Sequence, residues 1–233
     1  MTHSFPLRIL LFSSDSLKLW IFEATILLSG LLPNPVLETS ALSISLNTCA
    51  MIYMIAVGLS SATSTLVSNE LGAGNPRAAR LAVVASVSLI VIEGVLTSTI
   101  LIVFRRFWIT LFTKDSALAK FTAKLLILVG MNHIVDGVEC ILSGSCRGSG
   151  RQKRGAIVNL FAYYALGLPC SVILGFVLHL GGQGFWIGII VAMVAQTIGL
   201  GILTLRTNWQ EEAKRARERN MDRTKSGETT PSF

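Results

Sequence analysis

Four carboxylates interrupt stretches of sequence that are otherwise apolar: Glu23, Glu93, Asp136 and Glu139. An ionised side chain is costly to hold in hydrocarbon, so it persists there mainly where it faces a polar cavity or a partner. Desolvation also favours the uncharged form of a carboxyl group, which lets it load and release a proton near neutral pH. A site whose charge decides whether a cation or a proton is held is the chemical heart of a proton-coupled exchanger. Glu23 and Asp136 fall near the middle of their stretches and lead that assignment. The competing reading, acids kept protonated merely to bridge helices, is strongest for Glu93.

Spacing adds partners. His133, Asp136 and Glu139 recur every three residues, so on a helix they make a slanting polar stripe. A metal site does not follow, because positions 133 and 139 point about 120° apart and no second cluster completes a ligand set. Ser43 and Asn47 share one helical face, Asn159 and Tyr163 share another, and Gln196 sits in the last apolar stretch. Such groups either bridge helices, at about 0.6 kcal/mol each, or line a cavity. Asn47, Glu139, Asn159, Tyr163 and Gln196 form the candidate lining set. Two enzyme-like fragments fail on context. Gly72-Ala73-Gly74 precedes no βαβ unit that would make it a phosphate cradle. Ser29-Gly30 and Ser143-Gly144 lack the G-x-S-x-G frame of a nucleophile elbow. The sequence does not read as an enzyme and implies no cofactor; the proton is the expected coupling ion.

The elements that must hold these residues are six apolar stretches, at about 17–32, 39–63, 78–104, 121–144, 155–178 and 184–205. Each approaches the ~20 residues that cross a bilayer as a helix. Composition agrees. The chain is 52% hydrophobic and only 14% charged, with a mean hydropathy of +0.63, whereas soluble domains carry about 25% charged residues. The first stretch is the weakest: it starts after Asp15 and Lys18, and needs Ile9–Phe12 or a snorkelling Lys18 to reach full length. Turn signals separate the stretches at Pro33-Asn34-Pro35, Gly72 to Pro76, Arg147 to Gly150, and Gly181 to Gly184. The expected fold is all-α, a six-transmembrane-helix antiparallel bundle over residues 17–205.

Cys49, Cys140, Cys146 and Cys170 lie in or beside apolar stretches without C-x-x-C spacing, and read as small packing residues. Met1–Ser16 lacks the apolar core and small-residue cleavage site of a secretory leader. Lysine and arginine orient the bundle. Arg8, Lys18, Arg77, Arg80, Arg147, Arg151, Lys153, Arg154, Arg206 and the tail fall on one side; Arg105, Arg106, Lys114, Lys120 and Lys124 fall on the other. The richer side is cytosolic by the positive-inside rule, which puts both termini there. Residues 206–233 make a basic tail, opening at Trp209 as a charged helix with Glu211 four residues before Arg215, and disordered from Thr224. It is expected to meet solvent and anionic lipid rather than nucleic acid.

At this point strings of residues carry a resemblance. Lys18-Leu-Trp-Ile-Phe-Glu23, Leu28 to Pro35 and Leu37-Glu-Thr-Ser40 resemble the seventh helix and following loop of plant-type multidrug and toxic compound extrusion (MATE) transporters. Val67-Ser-Asn-Glu-Leu-Gly-Ala-Gly-Asn-Pro76 resembles the loop after their eighth helix, and Leu142-Ser-Gly144 with Arg147-Gly148 the end of their tenth. Gly155-Ala156, Val158-Asn159-Leu160, Tyr163-Tyr164 and Trp186-Ile-Gly188 are similar to the eleventh and twelfth. The likeness runs from about 17 to 209, with residues 1–16 divergent. It implies the C-terminal lobe of a twelve-helix proton antiporter that exports organic cations, xenobiotics or secondary metabolites. In the family, acids of the seventh and tenth helices couple proton and substrate; Glu23 and Asp136 stand at the matching positions. Family members commonly carry Gln where Glu139 stands. The implied setting is a multi-pass protein of the vacuolar or plasma membrane, with a small organic substrate and a second lobe, or a second copy, as partner. The alternative is a truncated, non-transporting fragment that associates with or regulates a full-length relative.

Overall fold

Two prolines and an aspartate start the long helices. Pro35 and Pro76 sit in the first turn of their helices, where a missing N–H goes unnoticed, and Asp115 Oδ1 accepts from Ala117 N at 2.8 Å to cap a third. In the computed structural model, residues 20–225 are described. Helix α1 spans Trp20–Ser29, α2 Pro35–Ala73, α3 Pro76–Thr110 and α4 Ser116–Gly148. Then come α5, Gln152–Val177, α6, Gly181–Leu205, and α7, Trp209–Lys225. Helices α2 to α6 are long and apolar enough to cross a membrane, and α1 is the described part of the first stretch. The chain is therefore an integral, multi-pass membrane protein, and the all-α bundle read from the sequence is the fold found.

The helices outrun the apolar stretches. Helix α2 alone has 39 residues, about 58 Å of rise against ~30 Å of hydrocarbon. Its last turns carry Ser64, Ser68, Asn69 and Glu70 and run past the apolar stretch. Hydropathy marks only the part of a helix that sits in lipid, so it places the ends too far inside. Gly74, at φ 78°, then closes α2 in the left-handed conformation that suits glycine.

Helix α4 is the axis. Of its most apolar window 67% is buried, against 22% for α3. It packs against α2, α3 and α6. Small residues bring α2 and α4 close: a Cβ on Gly144 would lie 2.5 Å from Ser60 Oγ and 2.6 Å from Ser60 O. At this crossing Ser60 Oγ donates to Cys140 O at 2.6 Å. Helix α3 turns Leu81, Leu89, Ile92, Leu96 and Val103 outward, a face suited to lipid. Cys49, Cys140 and Cys146 are buried and Cys170 is half-buried, in packing positions within the bundle.

Helix α5 carries the irregularity expected near Gly167 and Pro169. Phe161–Gly167 and Ile173–Val177 are π-helical and flank the proline. Proline cannot donate to the residue four back and crowds its carbonyl; widening the adjoining turns accommodates both defects without breaking the span. The tail departs from expectation in one respect: α7 runs to Lys225, so Thr224 and Lys225 are helical. The i, i+4 pairing of Arg215 with Glu211 supports that extension. The expected divergent segment 1–16, the lead-in to the first stretch and residues 226–233 lie outside the described residues.

Two glycine substitutions should separate packing from propensity. Gly144→Val drives a side chain into Ser60 and should cost about 1–3 kcal/mol. Gly58→Ala meets nothing within 4 Å and should leave stability unchanged or raise it by up to ~1 kcal/mol. Thermal unfolding of the purified chain in detergent measures both; equal shifts would contradict the α2–α4 contact.

Candidate functional site

Because α4 is central, its polar stripe is enclosed. Asp136 is 1% exposed and Glu139 4%. Both line a cavity of about 280 Å³ together with Cys140, Ser143 and Arg147 of the same helix. Helix α2 supplies Cys49, Ala50, Tyr53, Met54 and Val57, while α5 gives Asn159 and Tyr163, α6 gives Gln196 and α1 gives Phe22. Ala50, Met54 and Val57 are themselves exposed, so the cavity opens along that face of α2.

At the closed end an amide holds the site together. Gln196 Nε2 donates to Glu139 Oε1 at 2.6 Å and to Asn159 Oδ1 at 2.7 Å. One side chain thus ties α6 to α4 and α5, and its buried Oε1 has no hydrogen-bond partner among the described residues. At the opposite end Arg147 Nη2 donates to Ser60 Oγ at 2.8 Å and Nη1 to Ser143 Oγ at 3.3 Å. The guanidinium is held by neutral acceptors, so its charge is not cancelled locally. Two acids and one guanidinium therefore share a chamber whose remaining walls are largely apolar, an arrangement that can take a cation with an apolar body.

The expected set divides. Asp136, Glu139, Asn159, Tyr163 and Gln196 meet at the cavity. Asn47 does not line it; it is exposed, one turn beyond Ala50 on the same open face of α2. Glu23 is also exposed and outside the lining, although its neighbour Phe22 is part of it. Trp20 and Leu27, one turn to either side of Glu23, are exposed with it. Glu23 and Asp136 are thus not brought to one chamber within this chain, and Glu139 is the acid that accompanies Asp136. The stripe on α4 splits as well. His133 turns away to α3, where Nε2 lies 3.3 Å from Glu93 Oε2, and Thr97 Oγ1 donates to Glu93 Oε1 at 2.7 Å.

Sequence reading missed Arg147 and Tyr53. Arg147 was counted as a loop cation, yet Asp136, Ser143 and Arg147 recur at helical spacing and so share a face with the acid. It missed Asn132 too. One turn before Asp136 and 0% exposed, its Oδ1 and Nδ2 have no partner among the described residues.

Known proteins give this geometry its context. The MatE family model matches residues 12–173. Protein DETOXIFICATION 16 of Arabidopsis thaliana is 48% identical over 203 residues, 87% of this chain and 42% of the relative; Protein DETOXIFICATION 17 of the same plant is 48% identical over 87% of this chain and 43% of its own length. The crystal structure of the eukaryotic MATE transporter AtDTX14 superposes with a TM-score of 0.88 at 41% identity, covering 92% of this chain and 48% of that one. The chain thus spans less than half the length of the relatives it matches. With the family model aligned over most of its sequence and a eukaryotic MATE structure reproducing its bundle, this chain belongs to the MatE family.

Proposed function

We propose that this chain is the C-terminal half of a proton-coupled antiporter that exports organic cations, xenobiotics or secondary metabolites. The observation that carries this reading is the enclosure of Asp136 and Glu139 in one cavity with Tyr53, Phe22 and Met54. A cation with an apolar body fits such a chamber, and a proton on either acid competes with it for the same charge. Gln196 keeps Glu139 in place, and Arg147 sets the charge balance at the other end. The open face of α2 is where a second lobe, or a second copy, would complete the chamber, as alternating access around a central site requires. The family resemblance implies that Glu23 stands at the place of a coupling acid. On the open side of α1 it would serve as a separate proton site, joined to the chamber only when the second lobe is in place.

A second reading has one observation in its favour: the chain covers 42% of DETOXIFICATION 16. On that reading it is a non-transporting fragment that associates with or regulates a full-length relative. Proteoliposomes separate the two. The chain is reconstituted alone and together with the complementary half of a relative, and substrate-driven proton efflux is recorded with a quinacrine-type dye. Exchange that appears with the second half, and that Asp136→Asn reduces to the level of empty vesicles, is the expected result. Asp136→Asn running at the wild-type rate would remove the proposed role of this acid, and no efflux in either reconstitution would favour the fragment.

Gln196 offers an independent test. Gln196→Leu strips Glu139 of its amide donor inside the bundle and should lower stability by about 1–3 kcal/mol. Adding Glu139→Leu removes the other member of that bond and should restore part of that loss. Thermal unfolding of the two variants in detergent decides it; strictly additive losses would mean that the hydrogen bond carries no coupling.

A further inference from the structure

Helix α7 lies across one end of the bundle, where α2 turns into α3 and α4 into α5. Trp209, Ala213 and Ala216 pack on Val67, Leu71, Ala79, Ala82 and Val83, and Arg217 Nη2 donates to Ala73 O at 3.0 Å. Farther along, Arg219 reaches the second turn: its Nη1 is 2.7 Å from the point a Cβ on Gly150 would occupy. The helix is anchored on the α2–α3 turn, and between it and the α4–α5 turn lies a half-open cleft of about 830 Å³.

The cleft is basic. Arg151, Lys153 and Arg154 line it from the turn, and Arg215 and Arg219 from α7; five cations against two carboxylates, Glu212 and Glu218, leave +3. Arg215 is committed to Glu211 and to Glu212, the latter at 3.5 Å. Lys153, Arg154 and Arg219 have no carboxylate within ion-pair distance among the described residues. Arg151 gives Nη1 to Leu203 O at 3.2 Å, while its buried Nε has no acceptor among those residues. A cleft lined mainly by one sign of charge focuses a positive potential and draws anions to it. Arginine forks match phosphate oxygens in pairs.

Shape narrows the ligand. A cleft of about 830 Å³ is much larger than one phosphate group, and it has no aromatic side chain on which a nucleobase could stack. Glu218 lines it and the buried Gln152 Oε1 has no partner among the described residues, so acceptors for hydroxyl groups are at hand. The turn joins two helices long and apolar enough to cross a membrane, and the ends of such spans fall near lipid headgroups. We propose that this cleft binds a polyphosphorylated polyol, an inositol phosphate, carried by a membrane lipid or free in solution. The site is independent of the transport reading and lies at the opposite end of Arg147's helix from Asp115.

Binding is tested on the full chain with two probes. Nanodiscs of phosphatidylcholine with and without phosphatidylinositol bisphosphate present the lipid form, and inositol hexakisphosphate, followed by microscale thermophoresis in detergent, presents the soluble one. Lys153→Gln/Arg154→Gln/Arg219→Gln should weaken binding about a hundredfold. Arg154→Lys/Arg219→Lys, which keeps the charge, should retain most of it and guards against loss through misfolding. Lys114→Gln/Lys120→Gln/Lys124→Gln removes the same charge from the other end and should leave affinity unchanged. Response to the lipid alone assigns a headgroup, and response to both probes assigns a site open to free inositol phosphates. Failure of both probes, or an equal loss in the two neutralised triples, overturns the proposal.

Discussion

A helix that carries acids through a bilayer must be wrapped by other helices. Every other feature of this bundle follows from that constraint. Asp136 and Glu139 lie on α4, and hydrocarbon on either would cost several kcal/mol. The chain answers by putting α4 at the axis, with α2, α3 and α6 around it. The apolar surface then falls largely to α3, whose outward residues include Leu81, Leu89, Ile92, Leu96 and Val103. Where α2 must come closest, Gly144 and Gly148 on α4 remove the obstacle. Packing is arranged so that Asp136 and Glu139 are buried inside the bundle.

Much of this is legible in sequence because lipid permits few solutions. Long apolar stretches with polar breaks give the helices and their order, since every backbone group must be satisfied within the span. Helix ends are less legible, because α2 and α3 continue as helix past their apolar stretches, to Ala73 and Thr110. The acids of α4 were legible for the same reason as the fold: burial cost singles them out. Which neighbours face them was only partly so. Helical spacing groups residues on one helix but does not fix the rotation of one helix against the next. Asn159, Tyr163 and Gln196 line one cavity with Glu139, whereas Asn47 and Glu23 remain on open faces. His133 illustrates the limit. At three residues from Asp136 it looked like its partner, yet the interface with α3 gives it Glu93 instead.

Helix α5 shows where regularity was given up. It lines the cavity with Asn159 and Tyr163, and Pro169 lies one and a half turns farther on. A π-helical turn on either side keeps the axis nearly continuous while leaving carbonyls less tightly bonded. Within the proposed exchange cycle this is the wall best suited to yield, because its turns can exchange π for α geometry without breaking a span. The walls from α4 and α2 cannot move independently. Ser60 binds Cys140 O and Arg147 at once, so those two helices shift together.

On the proposed reading, the charge count of the cavity sets what exchange can mean. Arg147 contributes one positive charge, held by hydroxyl groups that do not neutralise it. With both acids ionised the chamber carries −1 and attracts a monovalent cation. One proton brings it to zero, and the attraction is gone. The guanidinium thus moves the balance point: without it the chamber would start at −2, and a single proton would leave it still holding a cation. Glu139 acts in the opposite sense and returns the charge that Arg147 offsets. The pair of acids and the arginine have to be understood as one unit, because removing any member changes how many protons it takes to release a cation.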